Sequence, residues 1–207
     1  MKVNLTGQVA LVTGGAKGIG RSIAELLVSN GAAVVSVDID MKTNEQTARE
    51  LSGTNRTCIA LAGDVSDRDQ MEQVVDNVSR KMGGLDILVN NAGINTLSDR
   101  SPIHQFSSDD WEQILKIDLT GVFVTSQVSI PVMLKNSTGR IVNVSSVAGI
   151  VPLRLQSAFV AAKAGVINLT RSMALELGPK GILVNAVAPG STLTQGTKAL
   201  FYGPNGA

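Results

Sequence analysis

Residues 13–20 read Thr-Gly-Gly-Ala-Lys-Gly-Ile-Gly, and few folds accept three spaced glycines where these stand. Before them lies an apolar run, residues 8–13; after them Ile19, Ile23, Leu26 and Leu27 recur at helical spacing up to Gly31. Gly14 permits a tight turn, Gly18 lets backbone approach a pyrophosphate, and Gly20 lets the helix begin close to the strand. The helix N-terminus then offers unpaired N–H groups and partial positive charge to phosphates, beside Lys17 and Ile19. Strand, glycine loop and helix in this order predict the first βαβ unit of a dinucleotide-binding sheet.

The alternation continues. Apolar runs at 33–37, 57–62, 85–90, 140–144 and 182–188 predict five further strands. Helices are expected at 42–51 and 157–177, and after two capping boxes, Ser-Asp-Arg-Asp at 66–69 and Ser-Ser-Asp-Asp at 107–110. The first capped helix carries Met71, Val74, Val75, Val78 and Met82 on one face. The second is long, with Trp111, Ile114, Leu115, Val122 and Phe123 as expected core residues, until Pro131 kinks or ends it. Residues 191–207 are polar and glycine-rich, with no clear element. The expected fold is α/β: a Rossmann-like, doubly wound parallel sheet of six strands in one domain, 1–207. A 43% hydrophobic chain that is only 3% aromatic suits parallel strands packed closely by helices.

Charge excludes some partners. With 18 basic and 17 acidic residues, nothing argues for nucleic acid or an anionic membrane. The N-terminus has no apolar stretch of signal-peptide length, and no run of ~18 apolar residues suggests a span, so a cytoplasmic protein is expected. Cys58 is alone, and His104 has no paired ligand, so neither a disulfide nor a metal site is expected.

Asp38 follows Gly20 by 18 residues, at the end of the second strand. A carboxylate there accepts both ribose hydroxyls and repels a 2′-phosphate, which favours NAD over NADP. Lys17 pulls the other way, with less effect because its side chain can swing into solvent.

Five stretches together resemble the short-chain dehydrogenase/reductase family over essentially the whole chain. They are Gly14-x-x-x-Gly18-x-Gly20, Asp64-Val65, Asn90-Asn-Ala-Gly93, Ser146 with position 159 and Lys163, and Pro189-Gly190 followed by Thr192 and Thr194. The resemblance implies strand order 3-2-1-4-5-6 and a seventh strand after position 207. It also implies that the chain is C-terminally truncated and is a homotetramer or homodimer when full length. Asp64 and Val65 would hold adenine, Asn91, Ala92 and Gly93 after the fourth strand would contact the cofactor, and Pro189 to Thr194 would hold the nicotinamide carboxamide.

The implied reaction moves a hydride between nicotinamide and a secondary alcohol or ketone. Ser146 would bond the substrate oxygen, and Lys163 would bond the ribose and lower the pKa of a tyrosine hydroxyl. The tyrosine position is Phe159, which has no proton to give, so little activity is expected with cofactor binding intact. Asp118 stands where the family often has a relay asparagine. Asn95, Arg100, Arg154 and Gln156 could reach a polar substrate, which favours a polyol, sugar or dihydrodiol. A 3-oxoacyl thioester reductase is the alternative, though Asp38 opposes its usual NADPH preference. A non-catalytic dinucleotide-binding module is the alternative of another class.

Overall fold

The computed structural model describes residues 3–54, 57–95 and 100–193. Six parallel strands form one sheet in the order β3-β2-β1-β4-β5-β6, as the resemblance implied. They are β1 Val9–Thr13, β2 Ala33–Asp38, β3 Cys58–Ala62, β4 Ile87–Asn90, β5 Gly139–Val144 and β6 Ile182–Val187. The helices are α1 Gly18–Ser29, α2 Met41–Leu51, α3 Arg68–Met82, α4 Ser108–Leu115, α5 Gly121–Lys135 and α6 Ser157–Leu177.

Strand periodicity divides the core. Val9 and Leu11 of β1 join a cluster with α3, α5 and the end of α6, through Met71, Val75, Val128, Met133 and Leu177. Ala10 and Val12, pointing the other way, join α1 and α2 through Ala24, Val28, Ala48 and Leu51. Helices therefore cover both faces, and the strands are buried on both sides. Strand order reverses beside β1, where β4 pairs on the edge opposite β2. In such sheets the crevice at the carboxyl ends of these strands is where ligands bind.

Several expectations change. Leu26 is exposed, because α1 presents the smaller Gly20, Ala24 and Val28 to the sheet. The cap of α3 is Asp67, whose carboxylate accepts the Gln70 N–H at 3.1 Å; the Ser66 hydroxyl instead donates to Asp64. Ser107 does cap α4, accepting the Asp110 N–H at 3.2 Å. Pro131 stands inside α5 without ending it.

Trp111 and Phe123 are 36% and 48% exposed, whereas Ile114 and Val122 are buried. A π-helical turn, Lys116–Thr120, joins α4 to α5. Its extra residue turns α5 by ~100° relative to α4, so one uninterrupted 3.6-residue period misplaces the inward face. The combined run Ser108–Lys135 is, by length and mean composition alone, long and apolar enough to cross a membrane. More than half of its apolar window is buried within the fold, as in the core helix of a globular domain.

Candidate active site

The glycine loop is held by side chains from beneath. The Thr13 hydroxyl accepts the N–H groups of Asn91 and Ala92, each at 3.0 Å. The Asn91 amide donates back to the carbonyls of Thr13 and Gly14, at 3.0 and 3.1 Å. The loops after β1 and β4 are thus one unit. Thr13 escapes the sequence reading, since a hydroxyl at a strand end has no local signature. Asn91 was expected to meet cofactor; its side chain braces the glycine loop, and the residue also lines the cavity beside that loop.

Gly14 and Gly18 have φ of 63° and 59°, the left-handed region that glycine enters without steric cost. At Gly20 the constraint is space. A Cβ there would lie 2.1 Å from the Gly14 carbonyl oxygen and 2.5 Å from the Asn91 amide nitrogen. Gly20→Ala should therefore displace the start of α1, lowering stability by about 1–3 kcal/mol and weakening dinucleotide binding with it. Denaturant unfolding and calorimetry with NADH measure both; unchanged values in the variant would refute the close-packing account.

A cavity of about 530 Å³ opens at the carboxyl ends of the strands, lined by Gly14, Lys17, Asp38, Asp64, Val65, Asn91, Ala92 and Gly93. The walls also include Asp40, Ile94, Gln113 and Ile117, which the sequence did not single out. Asp38 stands at its edge. One carboxylate oxygen accepts the Ala16 N–H at 3.1 Å and the other the Asp40 N–H at 3.0 Å. Each oxygen keeps a lone pair for a further donor such as a ribose hydroxyl. Asp64 turns back on its own chain, accepting the backbone and hydroxyl of Ser66, while Val65 is buried against Gly121.

A second groove runs past the start of α1, lined by Lys17, Gly18, Ile19, Arg21 and Thr192. Lys17 is the N-cap of α1 and makes no side-chain cap bond, and the first turn holds no acid. The helix end therefore keeps its N–H groups and its partial positive charge for an anion. These features fit a dinucleotide with its pyrophosphate at this end. Arg21 is engaged with Glu50 at 2.9 Å. Thr194 lies outside the described residues.

The second part of the site converges on β5, α6 and the π turn. Ser146 follows β5 and accepts the Ala148 N–H at 3.1 Å. Pro189 lies beside it, its carbonyl accepting the Val147 N–H at 3.0 Å, and Gly190 follows, its carbonyl accepting the Thr192 hydroxyl. Phe159 and Lys163 lie one turn apart on α6, and the ammonium is 5.6 Å from the centre of the phenyl ring. The ring packs with Ile94, Phe106, Leu115 and Leu119 around Ile114, Ala158 and Ala162.

Lys163 is buried, and its nitrogen lies 2.9 Å from Asp118 Oδ2 and 3.4 Å from the Val144 carbonyl. Asp118, at the position where the family often has a relay asparagine, is wholly buried in the π turn. Its Oδ1 accepts the Ile94 N–H at 2.7 Å. Burial raises the Asp118 carboxyl above the ordinary range, and the Lys163 cation and Ile94 N–H oppose that rise. Gly93 covers the pair: a Cβ there would come within 2.8 Å of Asp118 Oδ2 and 3.3 Å of Lys163 Nζ.

The polar substrate candidates do not form one set. Arg154 is exposed and Asn95 half-buried, but Gln156 is buried. Ile150, Val151 and Leu153, between Ser146 and α6, are exposed apolar side chains. Leu155 holds a φ of 62°, a strained value for a leucine, two residues before α6. Burial pushes the Cys58 thiol up to about 11, so it is not a nucleophile at neutral pH. Among the described residues no group of acids, histidines or cysteine could hold a metal.

A family model described as short chain dehydrogenase matches residues 8–204. The 3-oxoacyl-(acyl-carrier-protein) reductase of Thermotoga maritima is 39% identical over 198 residues, 96% of this chain and 79% of that protein. Among solved structures, levodione reductase superposes with a TM-score of 0.92 at 33% identity, covering 97% of this chain and 78% of that one. NAD+-bound xylitol dehydrogenase gives 0.87 at 32% identity, covering 91% and 72%.

Proposed function

Because this chain belongs to the short-chain dehydrogenase/reductase family, we propose that its site binds NAD(H) in preference to NADP(H) and serves oxidation of a secondary alcohol or reduction of a ketone. Asp38 carries the cofactor preference. Its carboxylate lies at the cavity edge, at the end of β2, where a 2′-phosphate would meet fixed negative charge and ribose hydroxyls would meet an acceptor. Asp40 adds a second carboxylate to the same wall, held below the ordinary range chiefly by the Thr43 hydroxyl and N–H. Lys17 is exposed and lines both grooves, so it supplies one cation against two carboxylates.

The bound nicotinamide supplies the hydride acceptor or donor. The chain supplies the rest. The N-terminus of α1 binds phosphate, Lys163 stands ready to donate to ribose hydroxyls, and Ser146 offers a hydroxyl to the substrate oxygen. Phe159 keeps the ring but lacks the proton-transferring hydroxyl, so the site binds and orients but moves no proton there. The expected result is calorimetric binding of NADH at least ten times tighter than NADPH, with Asp38→Ser narrowing the gap. NADPH preference in the parent chain would overturn the assignment.

For the substrate, a polyol, sugar or dihydrodiol is the first reading. It is supported by the likeness to xylitol dehydrogenase and by Asn95, the residue after the cavity-lining Ile94. A 3-oxoacyl thioester is the second, supported by the exposed Ile150, Val151 and Leu153 and by the Thermotoga maritima relative. Turnover of a panel of polyols, cyclic alcohols and 3-oxoacyl thioesters by the Phe159→Tyr chain separates them. Tight NADH binding with no turnover of any would support a dinucleotide-binding module instead.

A further inference from the structure

We propose that Asp118 is a positioning residue that cancels the charge of Lys163, and so sets the ionisation of any hydroxyl placed at position 159. The geometry is specific. The carboxylate and ammonium are 2.9 Å apart, and both side chains are buried. The π turn carries Asp118 inward, the Ile94 N–H fixes its second oxygen, and Gly93 leaves the room the pair occupies. Lys163 in turn stands 5.6 Å from the centre of the ring at 159.

An isolated ammonium at that distance would favour a phenolate strongly in a low-dielectric site. The pair does not. While one proton is shared between Asp118 and Lys163 its net charge is zero, whichever member holds the proton. The field at position 159 is then that of a dipole rather than a cation. An uncharged side chain at 118 would release the cation to act alone.

Other ionisable groups lie on the surrounding elements. Asp110 and Lys116 lie on the same helical run, His104 precedes it in the loop, and Arg171 and Glu176 lie further along α6. Arg100 is half-buried before that loop. Among the described residues, the charge that acts on Asp118 is that of Lys163.

The consequence for catalysis rests on the reading of position 159 given under Proposed function, but the measurement does not need turnover. The parent chain has a single tyrosine, Tyr202. Subtracting its ultraviolet phenolate signal from that of Phe159→Tyr isolates the new hydroxyl. Adding Asp118→Asn should lower the ionisation midpoint by about one pH unit or more. Adding Lys163→Met instead should raise it, because the carboxylate is left unopposed.

Opposite movements support the proposal. A loosened site would shift both midpoints toward the ordinary tyrosine value, and movement in the same direction overturns it, as does an Asp118→Asn midpoint equal to its parent's. Where the methionine variant does not fold, the asparagine arm decides alone. If Phe159→Tyr turns substrate over, the acid limb of its kcat/KM profile should move with the spectroscopic midpoint. If the midpoints move as expected with no turnover, the functional reading fails and this one stands.

Discussion

Phe159→Tyr should raise NAD-linked turnover by about 10²–10⁴-fold, the contribution of a positioned acid–base group. The backbone and neighbours already suit it. Position 159 lies on the first turn of α6, one turn from Lys163, and its half-buried ring packs beside Ile94 and Phe106. Tyrosine adds one oxygen to a ring already in place, so stability and NADH affinity should change little. Initial rates from NADH absorbance, with calorimetry as control, give the comparison. Equal rates in a folded chain that binds NADH equally well would remove position 159 from the proton path. Combining Phe159→Tyr with Lys163→Met should then lose most of the gain, because it removes the proposed donor to the ribose hydroxyls and leaves the Asp118 carboxylate to oppose ionisation of the new hydroxyl.

Lys163→Met should be the most damaging substitution for stability. It leaves Asp118 buried without its cation, and breaking one side of a buried pair costs about 3–5 kcal/mol. The variant can reduce that cost by protonating Asp118, which fixes the sign of the pH dependence. Burial already raises this carboxyl in the folded chain, so folding favours its protonated form. The stabilisation from that preference is complete below the ordinary carboxylate range and is lost as pH rises through the folded value. Removing Lys163 raises the folded value further. The stability deficit should therefore be large at neutral pH and shrink on acidification. Denaturant midpoints at neutral and mildly acidic pH test this, with Asp118→Asn/Lys163→Met as the reference. The double variant should recover much of the loss, since no unpaired charge remains. A deficit independent of pH would show that Lys163 matters through packing alone.

Local residue chemistry was enough to place the sheet and the nucleotide loop. The 33–37 run became Ala33–Asp38, and the helix expected at 157–177 formed over those residues. Both depend on local properties: runs of apolar residues, and glycines at 14 and 18 whose positive φ few other residues adopt. Periodicity fixes that a helix has an apolar face. It does not fix which neighbour that face meets, nor where a π turn shifts its phase. Trp111 and Phe123 were thus misread, while Met71 and Val75 were not. Ser66 lost its capping role to Asp67 one residue on, a choice settled by how the chain leaves β3.

The site was legible as residue types and illegible as contacts. Asp38 and Lys163 were placed where expected. Asn91 lines the cavity and is also a brace, because its amide reaches two carbonyls more than 75 residues away in sequence. Asp118 and Lys163 are likewise brought together only by tertiary structure, where α6 packs against the π turn. Burial then makes their charges depend on one another. A sequence names two ionisable groups; only the fold removes the water between them and makes them one titrating pair.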